Sequence, residues 1–133
     1  MKGLFICNAN MRRSQIAEAF FNQYSKTNRA ESAGCFVRER VGKRVPEEII
    51  QIMQERGIDV SKNVRKQLTK EHIQRADKII SLTEKENLPE LVQKSPKLEI
   101  WALEDPLGFP MDALRETRNE IEKRVKKLAK ELE

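Results

Sequence analysis

The chain has 133 residues, 38% hydrophobic and 35% charged, with 26 Lys and Arg against 21 Asp and Glu for a net charge of +5. That length fits one domain around one core, so residues 1–133 are read as a single domain. No apolar run approaches the ~20 residues of a membrane helix, and two cysteines with one histidine exclude a disulfide framework and a four-ligand zinc site.

The basic excess lies largely in segments rich in both signs, such as residues 116–133. These read as solvated helix faces, so no nucleic-acid and no membrane partner is expected. The balance still favours an anionic substrate. The run from Met1 to Cys7 lacks signal-peptide organisation, which predicts a cytoplasmic protein.

Apolar bursts alternate with helical patterns, as in an α/β domain with a parallel sheet. Gly3 to Cys7 is a short apolar run, read as a buried first strand. A helix follows over Ser14 to Ser25, with Ile16, Ala17, Phe20, Phe21 and Tyr24 on one face and Ser14 as N-cap. Ala30 to Gly34 is a second strand. Pro46 suits the first turn of a second helix, Ile49, Ile50 and Met53 give its apolar face, and Gly57 ends it. Thr69 to Ala76 is a short helix and Lys78 to Leu82 a third strand. Thr83 with Glu86 reads as a capping box for the helix beyond. Leu98 to Ala102 is a fourth strand. A final helix from Met111 to Leu132 buries Leu114, Ile121, Val125, Leu128 and Leu132. Four strands with intervening helices imply a doubly wound sheet, whose sites lie beyond the strands' carboxyl ends. Cys7 ends the first strand and Asp105 follows the fourth, so both belong to that edge.

The segment Cys7-Asn8-Ala9-Asn10-Met11-Arg12-Arg13-Ser14 joins the first strand to the first helix and reads C-x5-R-S. Five intervening residues can curl their N–H groups inward as an anion nest. The helix adds its positive dipole end. The Arg13 guanidinium matches two oxygens of a phosphate at once. The same donors stabilise a thiolate. Ser14 is placed to donate to the Cys7 sulfur, and Asn10 suits a left-handed backbone position.

With these residues in view, the chain resembles the low-molecular-weight protein tyrosine phosphatase family, which shares its fold with thioredoxin-coupled arsenate reductases. The resemblance runs through Ile6-Cys7 to Arg13-Ser14, Ile16-Ala17-Glu18-Ala19, Glu31-Ser32-Ala33-Gly34, Gly57-Ile58-Asp59, Gln67-Leu68-Thr69 and Asp105-Pro106. It implies a three-layer, doubly wound parallel sheet of strand order 2-1-3-4 with helices on both faces. It also implies a phosphomonoesterase. Cys7 would form a phosphocysteine, and Arg13 with the loop residues Asn8, Ala9, Asn10, Met11, Arg12 and Ser14 would bind the phosphate. Asp105 would act as general acid and base. No metal or cofactor is implied. The partner would be a phosphorylated protein or small phosphate ester, with phosphate or another oxyanion in the loop.

Several positions depart from the family pattern. Ala9 stands where glycine is usual and is strained only if the loop needs positive φ there. Arg12 replaces a frequent second cysteine, reading either as added positive charge or, by preference, as a solvated side chain. Leu107-Gly108-Phe109 lacks the tyrosines that flank a substrate ring in eukaryotic-type members, and Phe36 reads as core packing. Met11, where arginine phosphatases place threonine, favours an ester over phosphoarginine. The alternative function is arsenate reduction by Cys7 with an external thiol or Cys35, since Ser81 to Gln93 holds no relay cysteine. An inert, buried Cys35 is the preferred reading. A second alternative is a phosphate-binding module whose catalysis has decayed. His72 reads as a surface or packing residue, and Trp101 as core with its N–H on a backbone acceptor.

Overall fold

A computed structural model describes residues 1–133. Four strands form one parallel sheet: β1 (Lys2–Cys7), β2 (Arg29–Gly34), β3 (Lys78–Ser81) and β4 (Leu98–Ile100), in the order β2-β1-β3-β4. Cys7 pairs with Gly34, and Ile6 with Ser81, so the carboxyl ends of β1, β2 and β3 reach one edge together. The doubly wound sheet with order 2-1-3-4 is therefore the observed one.

Side chains alternate across β1 with period two, and the core divides accordingly. Phe5 and Cys7 face a cluster built with α1 (Arg13–Tyr24), α2 (Glu47–Gln54) and α5 (Met111–Glu131). Leu4 and Ile6 face a smaller cluster with Ala33, Cys35, Leu88 and Val92, closed by α3 (Lys70–Arg75) and α4 (Glu90–Gln93). Phe5 meets Phe21 edge-on at 5.9 Å between ring centroids, and Trp101 at 6.2 Å.

Gly57 ends the second helix as expected. Its φ of 74° lets its own N–H reach the Gln54 carbonyl and the Ile58 N–H reach the Met53 carbonyl, a Schellman closure. Ile52, rather than Ile50, joins Ile49 and Met53 in the core. Arg118 interrupts the apolar stripe of α5, yet it is buried, with its guanidinium on the Ile52 carbonyl at 2.9 Å.

Local expectations are corrected at several points. The first helix starts at Arg13, so Ser14 lies in its first turn and caps nothing. Thr83 and Glu86 make no capping box. The Thr83 hydroxyl accepts from Asn87, a 3-10 turn spans Lys85–Asn87, and α4 begins only after Pro89, whose ring disfavours helix at the preceding residue. The capping box is instead at Thr69, where the buried His72 ring takes the place usually held by Glu or Gln. Of the two expected readings, surface or packing, His72 follows the second: it is buried, caps the helix, and has its pKa lowered by burial. β4 stops at Ile100, two residues short of expectation. Trp101 donates not to backbone but to the Glu99 carboxylate at 2.6 Å, its same-face neighbour two residues back.

Candidate active site

Residues 8–12 turn the chain from β1 into α1. Asn10 takes the left-handed conformation with φ 52°, and Ala9 does not, so alanine there is unstrained. None of the N–H groups of residues 8–14 donates to a protein acceptor. These free donors wrap a small cavity of about 140 Å³, lined by Cys7, Asn8, Ala9, Met11, Arg12 and Arg13. Arg40, Asp105 and Leu107 complete the wall from distant parts of the chain. Gly34 fits only because it has no side chain: a Cβ there would sit 2.7 Å from the Ala9 carbonyl carbon and the Asn10 nitrogen.

Hydrogen-bond polarity under the cavity is fixed by one backbone donor. The Lys66 N–H donates to Asn10 Oδ1 at 2.8 Å, and the Gln15 amide donates to the same oxygen at 2.9 Å. Asn10 Nδ2 must therefore face the other way, donating to Ser14 Oγ at 2.8 Å and Ser32 Oγ at 3.0 Å. The Ser14 hydroxyl, with one oxygen lone pair engaged by Asn10, lies 2.9 Å from Cys7 Sγ and is placed to donate its hydrogen there. Asn10 and Ser14 are fully buried. Their side chains lie outside the cavity lining, while their N–H groups are among the free donors of the loop.

Arg13 is also buried. Its Nη1 donates to the Leu82 carbonyl at 3.1 Å and the Leu103 carbonyl at 2.9 Å, leaving the rest of the guanidinium toward the cavity. The two carbonyls follow β3 and β4, so the sheet edge itself aims this side chain. Asp105 Oδ2 stands 3.9 Å from Arg13 Nη2 at the cavity rim, while its Oδ1 accepts the Leu107 N–H at 3.1 Å. The carboxylate is half exposed, open to both ligand and water.

Arg12 is not a free solvated side chain. It is largely covered, bonded to Glu48 at 3.2 Å, and lines the cavity. Phe36 is not core: Ala33, Cys35 and Val37 turn inward, which leaves Phe36 outward and 51% exposed. Its N–H holds the Asn8 carbonyl at 2.8 Å, which ties its backbone to the loop after β1. Cys35 is buried, and burial followed by the nearby Cys7 pushes its thiol up to about 12. It packs in the cluster on the other face of the sheet from Cys7. No three His, Cys, Asp or Glu side chains converge as a metal-binding group.

The structure brings together Cys7, Arg13 and Asp105 with Asn8, Ala9, Met11 and Arg12. Sequence reasoning missed Arg40 in the wall, and Gln15, Ser32 and Lys66 beneath it. Only the Glu31-Ser32-Ala33-Gly34 and Gln67-Leu68-Thr69 landmarks pointed near those supports. Gln67 explains its own landmark: its side chain accepts from the Val37 N–H and donates to the Cys35 carbonyl, fastening the loop beside the cavity.

Residues 2–133 match the model of the low molecular weight phosphotyrosine protein phosphatase family. Among solved structures, the low molecular weight protein tyrosine phosphatase of T. tengcongensis is 29% identical, with a TM-score of 0.87 over 98% of this chain and 99% of that one. Arsenate reductase from Archaeoglobus fulgidus is 34% identical, with a TM-score of 0.78 over 96% and 98%. The protein-arginine-phosphatase of Geobacillus stearothermophilus is 29% identical, over 98% of this chain and 95% of its own.

Proposed function

The chain belongs to the low molecular weight phosphotyrosine protein phosphatase family, and on that premise we propose that it hydrolyses aryl phosphate esters through a phosphocysteine on Cys7. The Cys7 sulfur attacks phosphorus in line. The bond to the leaving oxygen breaks, and Asp105 gives that oxygen its proton. Arg13 and the free loop N–H groups hold the equatorial oxygens as charge redistributes. Asp105 then takes a proton from water, which attacks phosphorus and releases phosphate and the Cys7 thiolate. The observation that carries this reading is the chain of hydrogen bonds from Lys66 N–H through Asn10 and Ser14 to the sulfur, with the Ser14 hydroxyl placed to donate to it. It stabilises sulfur both as nucleophile and as leaving group. No helix is long and apolar enough to cross a membrane, and the substrate is a phosphoprotein or a small ester in the aqueous phase.

Asp105→Asn is expected to lower kcat about 10²-fold on phenyl phosphate. The loss shrinks for a nitrophenyl ester, whose leaving oxygen needs less protonation. An equal loss on both esters would count against Asp105 as the acid.

Arsenate reductases among the relatives favour a second reading, in which Cys7 attacks arsenate and displaces one of its hydroxyl groups, which leaves as water. The bond from Cys7 to arsenic would then be attacked by an external thiol, which supplies the reducing electrons and ends as a disulfide with Cys7 as arsenite leaves. Cys35 is poorly suited as that thiol, because it is buried, held protonated and on the other sheet face. Arsenite release on incubation with arsenate and glutathione or thioredoxin separates the two readings.

A further inference from the structure

Resting on the phosphatase reading, we propose that Arg12, Arg40 and Arg65 form a second anion subsite beside the phosphate pocket, and that the preferred substrate is a phosphopeptide with acidic residues flanking the phosphorylated one. Arg12 and Arg40 bracket one atom: Met11 Sδ lies 3.9 Å from Arg12 Nη1 and 3.6 Å from Arg40 Nη1. The two guanidinium groups thus stand no farther apart than those contacts laid end to end, and both line the cavity that holds Cys7.

Arg65 comes to the same place from another segment. Its N–H donates to the Lys43 carbonyl at 2.9 Å and its carbonyl accepts from the Gly42 N–H at 2.9 Å, which ties it to the turn bearing Arg40. Its Nε is buried and hydrogen-bonded to nothing. Burial lowers its pKa, and the positive charges of Arg40 and Arg12 add to that lowering, opposed only by Glu48. Arg65 thus faces two cations and a single carboxylate, which Arg12 already holds at 3.2 Å. Such a cluster repels itself and loses stability in the free protein. An incoming anion would relieve the repulsion and satisfy the unpaired donors. The scissile phosphate occupies the loop, so the relieving anion is a further one. Exposed Leu107 offers apolar contact at the same mouth, and side chains flanking a phosphotyrosine in a peptide supply carboxylates at that range.

The test uses the Cys7→Ser protein, which holds substrate without turnover, titrated calorimetrically with two phosphotyrosine peptides. One carries glutamates on both sides of the phosphotyrosine and the other carries glutamines. The glutamate peptide is expected to bind about tenfold tighter at low salt, with the advantage shrinking in high salt. Adding Arg40→Ala, at an exposed position that leaves the fold intact, should cut the preference severalfold, and Arg65→Gln should remove most of the remainder. Equal affinities in the Cys7→Ser protein would overturn the subsite, as would a preference untouched by both arginine changes. Aryl phosphate hydrolysis by the wild-type protein tests the enzymatic reading separately, so a hydrolase without acidic preference fails here alone. Failure to bind either peptide would overturn both.

Discussion

Cys7→Ser protein is expected to hydrolyse an aryl phosphate at least about 10³-fold more slowly than wild type while still binding phosphate. A serine hydroxyl occupies nearly the same volume, so the free N–H groups of residues 8–14 and the Arg13 guanidinium keep their places. What is lost is the nucleophile. Ser14 Oγ lies 2.9 Å from the sulfur, and a thiol ionises far more readily than a hydroxyl; a serine oxygen there would stay protonated, with no base beside it to remove the proton. Steady-state kinetics give the rate, and calorimetric titration with phosphate gives the binding. Loss of both together would mean that Cys7 holds the loop's shape rather than supplying the attacking atom.

Arg13→Lys is the second large effect, with kcat expected to fall about 10²-fold or more. Lysine keeps the charge but not the planar fork that meets two phosphate oxygens together. The guanidinium also has a second duty, because its Nη1 satisfies the Leu82 and Leu103 carbonyls beyond β3 and β4. A lysine ammonium cannot hold both carbonyls and face the phosphate. Leaving one of these carbonyls unpaired costs about 1–3 kcal/mol, so the variant should also unfold at a lower temperature. A fall in activity with an unchanged melting temperature would show that the carbonyl contacts contribute nothing to stability.

Much of this protein can be read from local sequence. Short apolar runs gave the strands, and the 3.6-residue period gave α1, α2 and α5. The C-x5-R-S spacing identified Cys7 and Arg13 because strand, turn, anion nest and helix are contiguous there. Asp105 was legible only through family resemblance, since an Asp-Pro pair by itself reads as a turn. The supports under the pocket were not legible, because they are assembled from afar: Lys66 reaches Asn10 across 56 positions and Ser32 across 22. Arg40 and Arg65 were invisible for the same reason. Phe36 was misplaced although parity could have corrected it, since buried Ala33, Cys35 and Val37 fix the inward phase past the end of β2. The capping box went to Thr83 because the Glu86 pattern is commoner than a histidine in that role, and Pro89 decided against it.

The central claim is that sulfur, not water, first meets phosphorus. It is tested most directly by mixing the wild-type protein with excess aryl phosphate, quenching within one turnover, and locating phosphate by mass spectrometry. A burst of one phenol per protein with the added mass on Cys7 is the predicted result. Steady hydrolysis with Cys7 unmodified at every quench time would contradict it.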